Sequence, residues 1–118
     1  MTEETSWGRI EVSPIAVATI ASQAVEKCYG VVGVSSRGLA EVLHRDRRYR
    51  GAEVRFRDGG IIIDIYVIIE YGVRIITVAR NVMECVKFAV EQALGVPVQQ
   101  VNVHVQGLRV SDADRSTS

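Results

Sequence analysis

The sequence feature that most constrains the fold is a pair of alternating segments separated by a two-residue turn. Apolar side chains occupy every second position of Ala52–Arg57 and again of Ile61–Ile69. A period of two is typical of β-strands that bury one face. Asp58-Gly59 between them suits a tight hairpin turn in which the glycine adopts positive φ. Such a turn pairs Phe56 with Ile61, so both apolar sets share one face of the sheet, and the sequence predicts a β-hairpin.

Helical patterns flank this hairpin. Ser13 is a favourable N-cap residue and Pro14 suits the first helical position, so a first helix is predicted to run to about Cys28. A longer helix is predicted from near Val73 to Gly95, because glycine commonly ends a helix. The inner stripe of the first helix is made mostly of small side chains, which lets the helix approach the sheet closely: Val17, Ala18, Ala21, Ala24, Val25 and Cys28.

The remaining segments complete one domain of the α+β class. A short extended piece is predicted over Val31–Ser36, a short helix over Gly38–His44, and a last strand over Val98–Val110, with a bulge at Gly107. Because a helix connects them, the last strand should lie parallel to Ile61–Glu70. We therefore expect a two-layer sandwich of a mixed β-sheet with the two main helices on one face. The domain should span residues 7–110, with disordered tails at 1–6 and 111–118.

Composition indicates a folded protein whose net charge produces no strong electrostatic field. Hydrophobic residues make up 47% of the 118 residues and charged residues 24%, and positive and negative charges number 14 each. The first residues are polar and acidic, unlike a signal peptide. The longest apolar run, Ile61–Ile69, contains Asp64 and is shorter than the ~20 residues that cross a bilayer. The sequence predicts a cytoplasmic protein that reaches a membrane only through a partner.

One mixed polar row is predicted on the outer face of the sheet. It comprises Arg55, Asp64, Tyr66, Asn102 and His104. Asp64 and His104 would form an acid/base pair if their strands are neighbours. The alternative is a solvated sheet face, which we favour because no glycine-rich phosphate loop or second carboxylate accompanies the row.

Other catalytic or metal-binding patterns are weak. His44 and His104 fall on different elements, and neither has a further histidine or cysteine at metal-motif spacing. Cys28 and Cys85 fall on apolar helix arcs, where we expect small, buried, protonated thiols. We therefore predict no catalytic residue, no metal and no cofactor.

A basic loop follows the predicted short helix. Its arginines, interrupted by Asp46, offer a phosphate or lipid-headgroup contact, although such loops are more often simply solvated: Arg45, Arg47, Arg48 and Arg50. Gly30–Gly33 has the GxxG form of the RNA-binding KH loop, but two valines stand where polar residues are expected. The alternative function is thus a nucleic-acid-binding module that uses the basic loop and the outer sheet face.

The long helix suggests self-association. Its apolar arc covers about half the circumference, which is wider than one sheet face covers. Phe88 projects from the polar arc, and with Val78 and Cys85 it should form a continuous apolar strip. The sequence predicts a homo-oligomer, most simply a two-fold dimer through this strip. The alternative is that the short Leu39–Leu43 helix covers the strip and the chain stays monomeric.

Several segments together resemble the alkaline shock protein family of small general-stress proteins, mostly of Gram-positive bacteria. The resemblance spans about residues 7–110, includes the central hairpin, and is carried by Gly8–Pro14, Gly30–Val34, Glu70–Val73 and Val101–Gly107. The Val-Asn-Val-His-Val run in the last strand and the Tyr-Gly-Val junction before the long helix are its most specific parts.

The resemblance implies a non-enzymatic cytosolic protein linked to cell-envelope stress. Some family members are held at the membrane by a separate anchor protein, so such a protein is an expected partner. The family has no agreed catalytic residues, and none carry over. Gly30–Gly33 then resembles a family turn rather than a KH loop, while the arginine-rich basic loop departs from the family pattern.

Overall fold

A computed structural model of the protein describes residues 1–34 and 51–110. Three predictions lie outside the described residues: the short helix over Gly38–His44, the basic loop, and the tail at 111–118. The described elements, in chain order, are β1 (Thr2–Thr5), β2 (Gly8–Glu11), α1 (Pro14–Glu26), β3 (Val31–Val34), β4 (Ala52–Arg57), β5 (Gly60–Glu70), α2 (Ile75–Leu94) and β6 (Val98–Arg109).

Strand β5 is the centre of the main sheet. Strand β6 pairs with it in parallel along one edge, from Ile61 to Glu70. Strands β4 and β3 share the other edge, both antiparallel to β5. The mixed sheet and the parallel last strand are as predicted, and the α+β sandwich is confirmed.

The predicted hairpin between β4 and β5 is present in the expected register. Arg57 pairs with Gly60, and Phe56 pairs with Ile61. Asp58 has φ of 48° and Gly59 has φ of 78°. Positive φ at both central residues is the requirement of the two-residue turn that matches strand twist.

The core lies between the inner face of the sheet and the two helices. Strand β5 contributes every second side chain, from Ile61 to Ile69. Helix α1 buries Val17, Ala18, Ala21 and Val25, and α2 buries Val78, Val82, Val86 and Val90. The helix ends follow their sequence signals, since Ser13 Oγ accepts the Ala16 N–H at 3.3 Å and Gly95 closes α2 with φ of 72°. Both helices therefore form one layer, and the outer face of the sheet carries polar residues together with Ile62 and Ile68 of β5.

Strand β6 carries a bulge near each end. Its pairing with β5 passes from Val98 to Gln100, which leaves Gln99 unpaired, and again from Val105 to Gly107, which leaves Gln106 unpaired. The second bulge confirms the phase shift predicted at Gly107. Between the bulges, Gln100–Val105 pairs without interruption.

The prediction of a disordered tail at residues 1–6 is wrong for Thr2–Thr5. These residues form β1, which pairs antiparallel with β2 from Thr2–Glu11 to Thr5–Gly8. The Thr5 hydroxyl donates to the Gly8 carbonyl at 2.9 Å and accepts the Trp7 N–H at 3.1 Å, which fixes the turn. Every residue of this hairpin is exposed, so its order depends on backbone pairing and leaves no apolar pattern in the sequence.

Candidate functional site

The predicted polar row comes together on the outer face of the sheet, and we call its five residues (Arg55, Asp64, Tyr66, Asn102 and His104) the Asp64 cluster. Parallel pairing of β5 with β6 sets Asp64 opposite Asn102 and Tyr66 opposite His104. Arg55 reaches the same carboxylate from β4. Glu53 of β4 pairs directly with Asp64, so the expectation that no second carboxylate accompanies the row is wrong. Sequence periodicity alone therefore located these side chains on one face, and the strand order made them neighbours.

Asp64 is the centre of the cluster. Its Oδ1 accepts a hydrogen bond from Asn102 Nδ2 at 3.2 Å and lies 3.0 Å from His104 Nε2. Its Oδ2 accepts from Arg55 Nη2 at 3.0 Å. The His104 ring stacks on Tyr66, with ring centroids 4.6 Å apart and planes 15° from parallel.

Asp64 is the one charged residue buried within residues 1–34 and 51–110, at 8% exposure. Burial by itself raises its pKa, but hydrogen bonds from His104, Asn102 and Arg55, together with the Arg55 charge, hold the pKa of Asp64 below its ordinary value. An ionised carboxylate only accepts, so His104 Nε2 carries the proton in this contact.

This arrangement differs from that of a general acid/base. Asp64 and His104 do lie within hydrogen-bonding distance, as the neighbouring-strand condition requires. However, both carboxylate oxygens are already occupied, and the lowered pKa of Asp64 makes it a weak proton acceptor. Among the described residues, no group of three side chains has the composition of a metal site. The cluster joins three strands, β4, β5 and β6, through one carboxylate.

The predicted strip on α2 is only partly exposed. Phe88 is 64% exposed and Cys85 is exposed, but Val78 is 3% exposed and belongs to the core. The prediction of a continuous strip is therefore wrong at Val78. The reason is Gly30, whose missing side chain leaves room for this valine: a Cβ there would lie 2.8 Å from Val78 Cγ2.

The two cysteines are neighbours in the fold. Cys28, just beyond α1, is buried as predicted, and its thiol donates to the Ala24 carbonyl at 3.4 Å. Burial and the adjacent Cys85 thiol raise the pKa of Cys28 to about 11. The prediction of a buried thiol is wrong for Cys85, which is exposed on α2.

Sequence reasoning missed several exposed apolar side chains. Trp7, at the turn of the β1–β2 hairpin, is 98% exposed, and Ile10 on β2 is also exposed. On α2, Ile76 and Met83 are exposed on a different side from Phe88. The breadth of the predicted apolar arc was the available signal for the α2 pair, whereas no periodicity marks Trp7. No helix in the described part of the chain has the length and hydropathy needed to cross a membrane.

Known structures share the fold. A variant of MamM has a TM-score of 0.51 at 18% identity, covering 82% of this chain and 99% of that chain. The zinc form of a MamM CTD variant gives the same TM-score and identity, covering 82% of this chain and 88% of that one. At this identity the likeness concerns the fold alone.

Sequence relatives are much closer. The uncharacterized protein YloU of Bacillus subtilis is 41% identical over 113 residues, covering 92% of this chain and 94% of that protein. The uncharacterized protein Spy1614 of Streptococcus pyogenes is 35% identical over 111 residues, covering 90% and 92%. The model of the alkaline shock protein 23 family, described as having a cell envelope-related function, matches residues 2–110. The resemblance seen in the sequence is thus confirmed, and the chain belongs to this family.

Proposed function

We propose that this protein is a non-enzymatic, cytoplasmic stress-response protein that acts through contacts with other proteins, including further copies of itself, in a task linked to the cell envelope. Membership of a family with a cell envelope-related function supports the link to the envelope. The observation that carries the proposed mode of action is the outward-facing Phe88 on α2, 64% exposed beside the exposed Cys85.

An exposed phenylalanine on a polar helix face is best explained by a contact. Burying one phenylalanine side chain contributes about 1.5–3 kcal/mol, and aromatic residues are enriched at protein interfaces. The flanking α2 residues Glu84 and Lys87 are also exposed, and they provide the polar rim that surrounds such contacts.

The Asp64 cluster supports a role without catalysis. Its carboxylate is ionised, nearly buried and hydrogen-bonded through both oxygens, so it holds the strands together instead of awaiting a substrate proton. The structural use of the cluster is therefore the simpler account of these residues.

The link to the envelope is proposed to run through a partner. The described helices lack a membrane-crossing segment, and the charges of the chain cancel, so neither supplies a direct membrane attachment. We propose a separate membrane-anchored protein as the partner, with Phe88 and Cys85 as part of the contact surface.

Sedimentation velocity of the wild type and of Phe88→Glu tests the proposal. A charge buried in an apolar contact is costly, so Phe88→Glu should lower the sedimenting mass without lowering thermal stability. Lys87→Glu is the matched control, because it places the same charge at the adjacent exposed position pointing to another side of the helix.

The sedimentation results distinguish a monomeric protein from one that associates through a surface other than Phe88. A wild type that sediments as a monomer at tens of micromolar contradicts self-association. A wild type that associates while Phe88→Glu keeps the same mass shows that association uses another surface.

A further inference from the structure

We propose that the outer edge of β6 pairs antiparallel with β6 of a second copy, about a two-fold axis through Val103, so that two sheets become one. This inference rests on the proposed self-association and adds a second surface to it, apart from the Phe88 side of α2, so that Phe88→Glu leaves a dimer joined through β6. The partner is a second copy of this chain, chosen because the strand is complementary to itself.

The edge of β6 is available for pairing. Strand β6 hydrogen-bonds to β5 on one side, and within residues 1–34 and 51–110 no strand pairs with its other side. An edge strand presents a row of unpaired N–H and C=O groups, which is a template for another strand. With twelve residues, β6 is the longest strand of the described sheet.

The edge lacks the usual protection against pairing. Natural edge strands are blocked by lysines, prolines or inward-pointing charges. From Val98 to Leu108 the sequence contains no lysine, arginine, aspartate, glutamate or proline. Bulges at Gln99 and Gln106 shorten the edge but leave Gln100–Val105 regular. The available ladder is therefore short.

The sequence of β6 reads nearly the same in both directions from Val103. An antiparallel two-fold pair at this residue sets Val101 against the partner's Val105, and Asn102 against the partner's His104. The matched pairs end there, because Gln106 bulges out of the regular ladder. Apolar therefore meets apolar, and polar meets polar.

Neighbouring registers oppose fewer apolar pairs. Within the regular segment Gln100–Val105, an axis at Val103 opposes three pairs of valines, whereas an axis at Asn102 or at His104 opposes only two. The register at Val103 therefore buries the most apolar surface. Because a two-fold axis keeps directly opposite residues on the same face, the helices of both copies lie on one side of the joined sheet.

The partial exposure of the β6 valines and the hydrogen bonds that hold the polar side chains of β6 agree with this contact. Val101, Val103 and Val105 pack on the core but remain partly exposed in the single copy. On the outer face, both Asn102 and His104 are already held by Asp64, at 3.2 and 3.0 Å. These side chains lose little further freedom on pairing, which lowers the entropic cost of association.

Cysteine cross-linking tests the register directly. In a chain carrying Cys28→Ala and Cys85→Ala, we introduce Val103→Cys, which the axis sets against itself. Opposite residues of antiparallel strands have Cα atoms about 4.5–5.5 Å apart, within the range that a disulfide spans. Val103→Cys should therefore give a disulfide-linked dimer on mild oxidation at low protein concentration.

Val101→Cys is the matched control from the same face of the same strand. It should not cross-link to itself, because its copies lie four residues apart along the seam, roughly 13 Å by strand geometry. Mixed one to one with Val105→Cys it should cross-link, at about half the initial rate of Val103→Cys, because only about half of the dimers pair the two variants. Circular dichroism confirms that each variant is folded. Should Val103→Cys unfold the chain, a mixture of Asn102→Cys and His104→Cys carries the same test from the outer face, within the regular segment.

The results distinguish this inference from the proposed function. Cross-linking by Val103→Cys and by the mixed pair, but not by Val101→Cys alone, supports the two-fold seam. Equal cross-linking by Val101→Cys and Val103→Cys overturns it, as does the absence of cross-linking in a chain that sediments as an oligomer. A wild-type chain that sediments as a monomer, with no cross-linking by any variant, overturns the inference and the proposed self-association together.

Discussion

Replacing Asp64 with asparagine tests whether the Asp64 cluster holds the sheet together. The substitution keeps the shape of the side chain and removes its charge. Hydrogen bonds with an ionised partner are roughly twice as strong as neutral ones, so the contacts from Asn102 and His104 should each weaken by about 1 kcal/mol. The Arg55 side chain is 53% exposed, so its ion pair adds only about 0–1 kcal/mol. We expect Asp64→Asn to lower the free energy of unfolding by about 2 kcal/mol at pH 7.

This loss should depend on pH in one direction. The pKa of Asp64 is lowered in the folded protein, so its carboxylate stabilises the fold fully above its unfolded pKa of about 3.9. That stabilisation is lost as the pH falls through the folded pKa. Asparagine does not titrate, so the stability difference between wild type and Asp64→Asn should be widest at neutral pH and shrink below about pH 4.

Urea unfolding followed by far-ultraviolet circular dichroism measures both quantities. Tryptophan fluorescence is a poor probe, because Trp7 is the only tryptophan and is almost fully exposed in the folded state. Glu53→Gln is the control, since Glu53 lies directly opposite Asp64 on β4, and removing its charge relieves repulsion between the two carboxylates, so this variant should not be destabilised. A stability difference that persists unchanged at acid pH, or one no larger than that of Glu53→Gln, would refute the structural role of the cluster.

Two further expectations concern the interior near α2. Gly30→Ala should lower the free energy of unfolding by about 2–4 kcal/mol, because positive φ strains alanine and the added Cβ meets Val78. Gly59→Ala has open space around the added Cβ and should cost only about 1 kcal/mol. Equal melting temperatures for the two variants would contradict this account. Cys85 should react with iodoacetamide at pH 8 well before Cys28, because Cys28 is buried and its pKa is raised to about 11. Mass spectrometry of the alkylated chain measures the order, and earlier alkylation of Cys28 would contradict its burial.

The central sheet followed from local chemistry that the sequence displays. Asp58-Gly59 specifies one turn geometry, and that turn sets the register of two strands whose apolar sets agree with it. Residues separated by two along β5 and β6 share a face of the sheet, so the sequence alone predicts that the side chains of the Asp64 cluster on these two strands lie on one face. Ser13 marks the start of α1 and Gly95 marks the end of α2. Both ends are predictable because a helix cap depends on a few adjacent residues.

The errors arose where one segment is positioned by another that is distant in sequence. The helical period places Val78 next to Cys85 in the predicted surface strip, but the packing of Gly30 against Val78 places this valine in the core. Cys85 itself lies at the margin of the α1–α2 contact, where the angular position of a residue around the helix does not predict whether its side chain is buried or exposed. Strand β1 has no apolar alternation, because its partner β2 supplies backbone hydrogen bonds and no buried face.

The Asp64 cluster shows why a polar row inside a sheet need not be a catalytic site. A carboxylate on a central strand must be paired or it destabilises the sheet, and here three donors from two neighbouring strands supply that pairing. The same contacts fix Asn102 and His104 along an edge whose sequence is complementary to its own reverse. The residues that the sequence offers as an acid/base pair therefore order strand β6, whose open edge is the surface that we propose for pairing with a second copy.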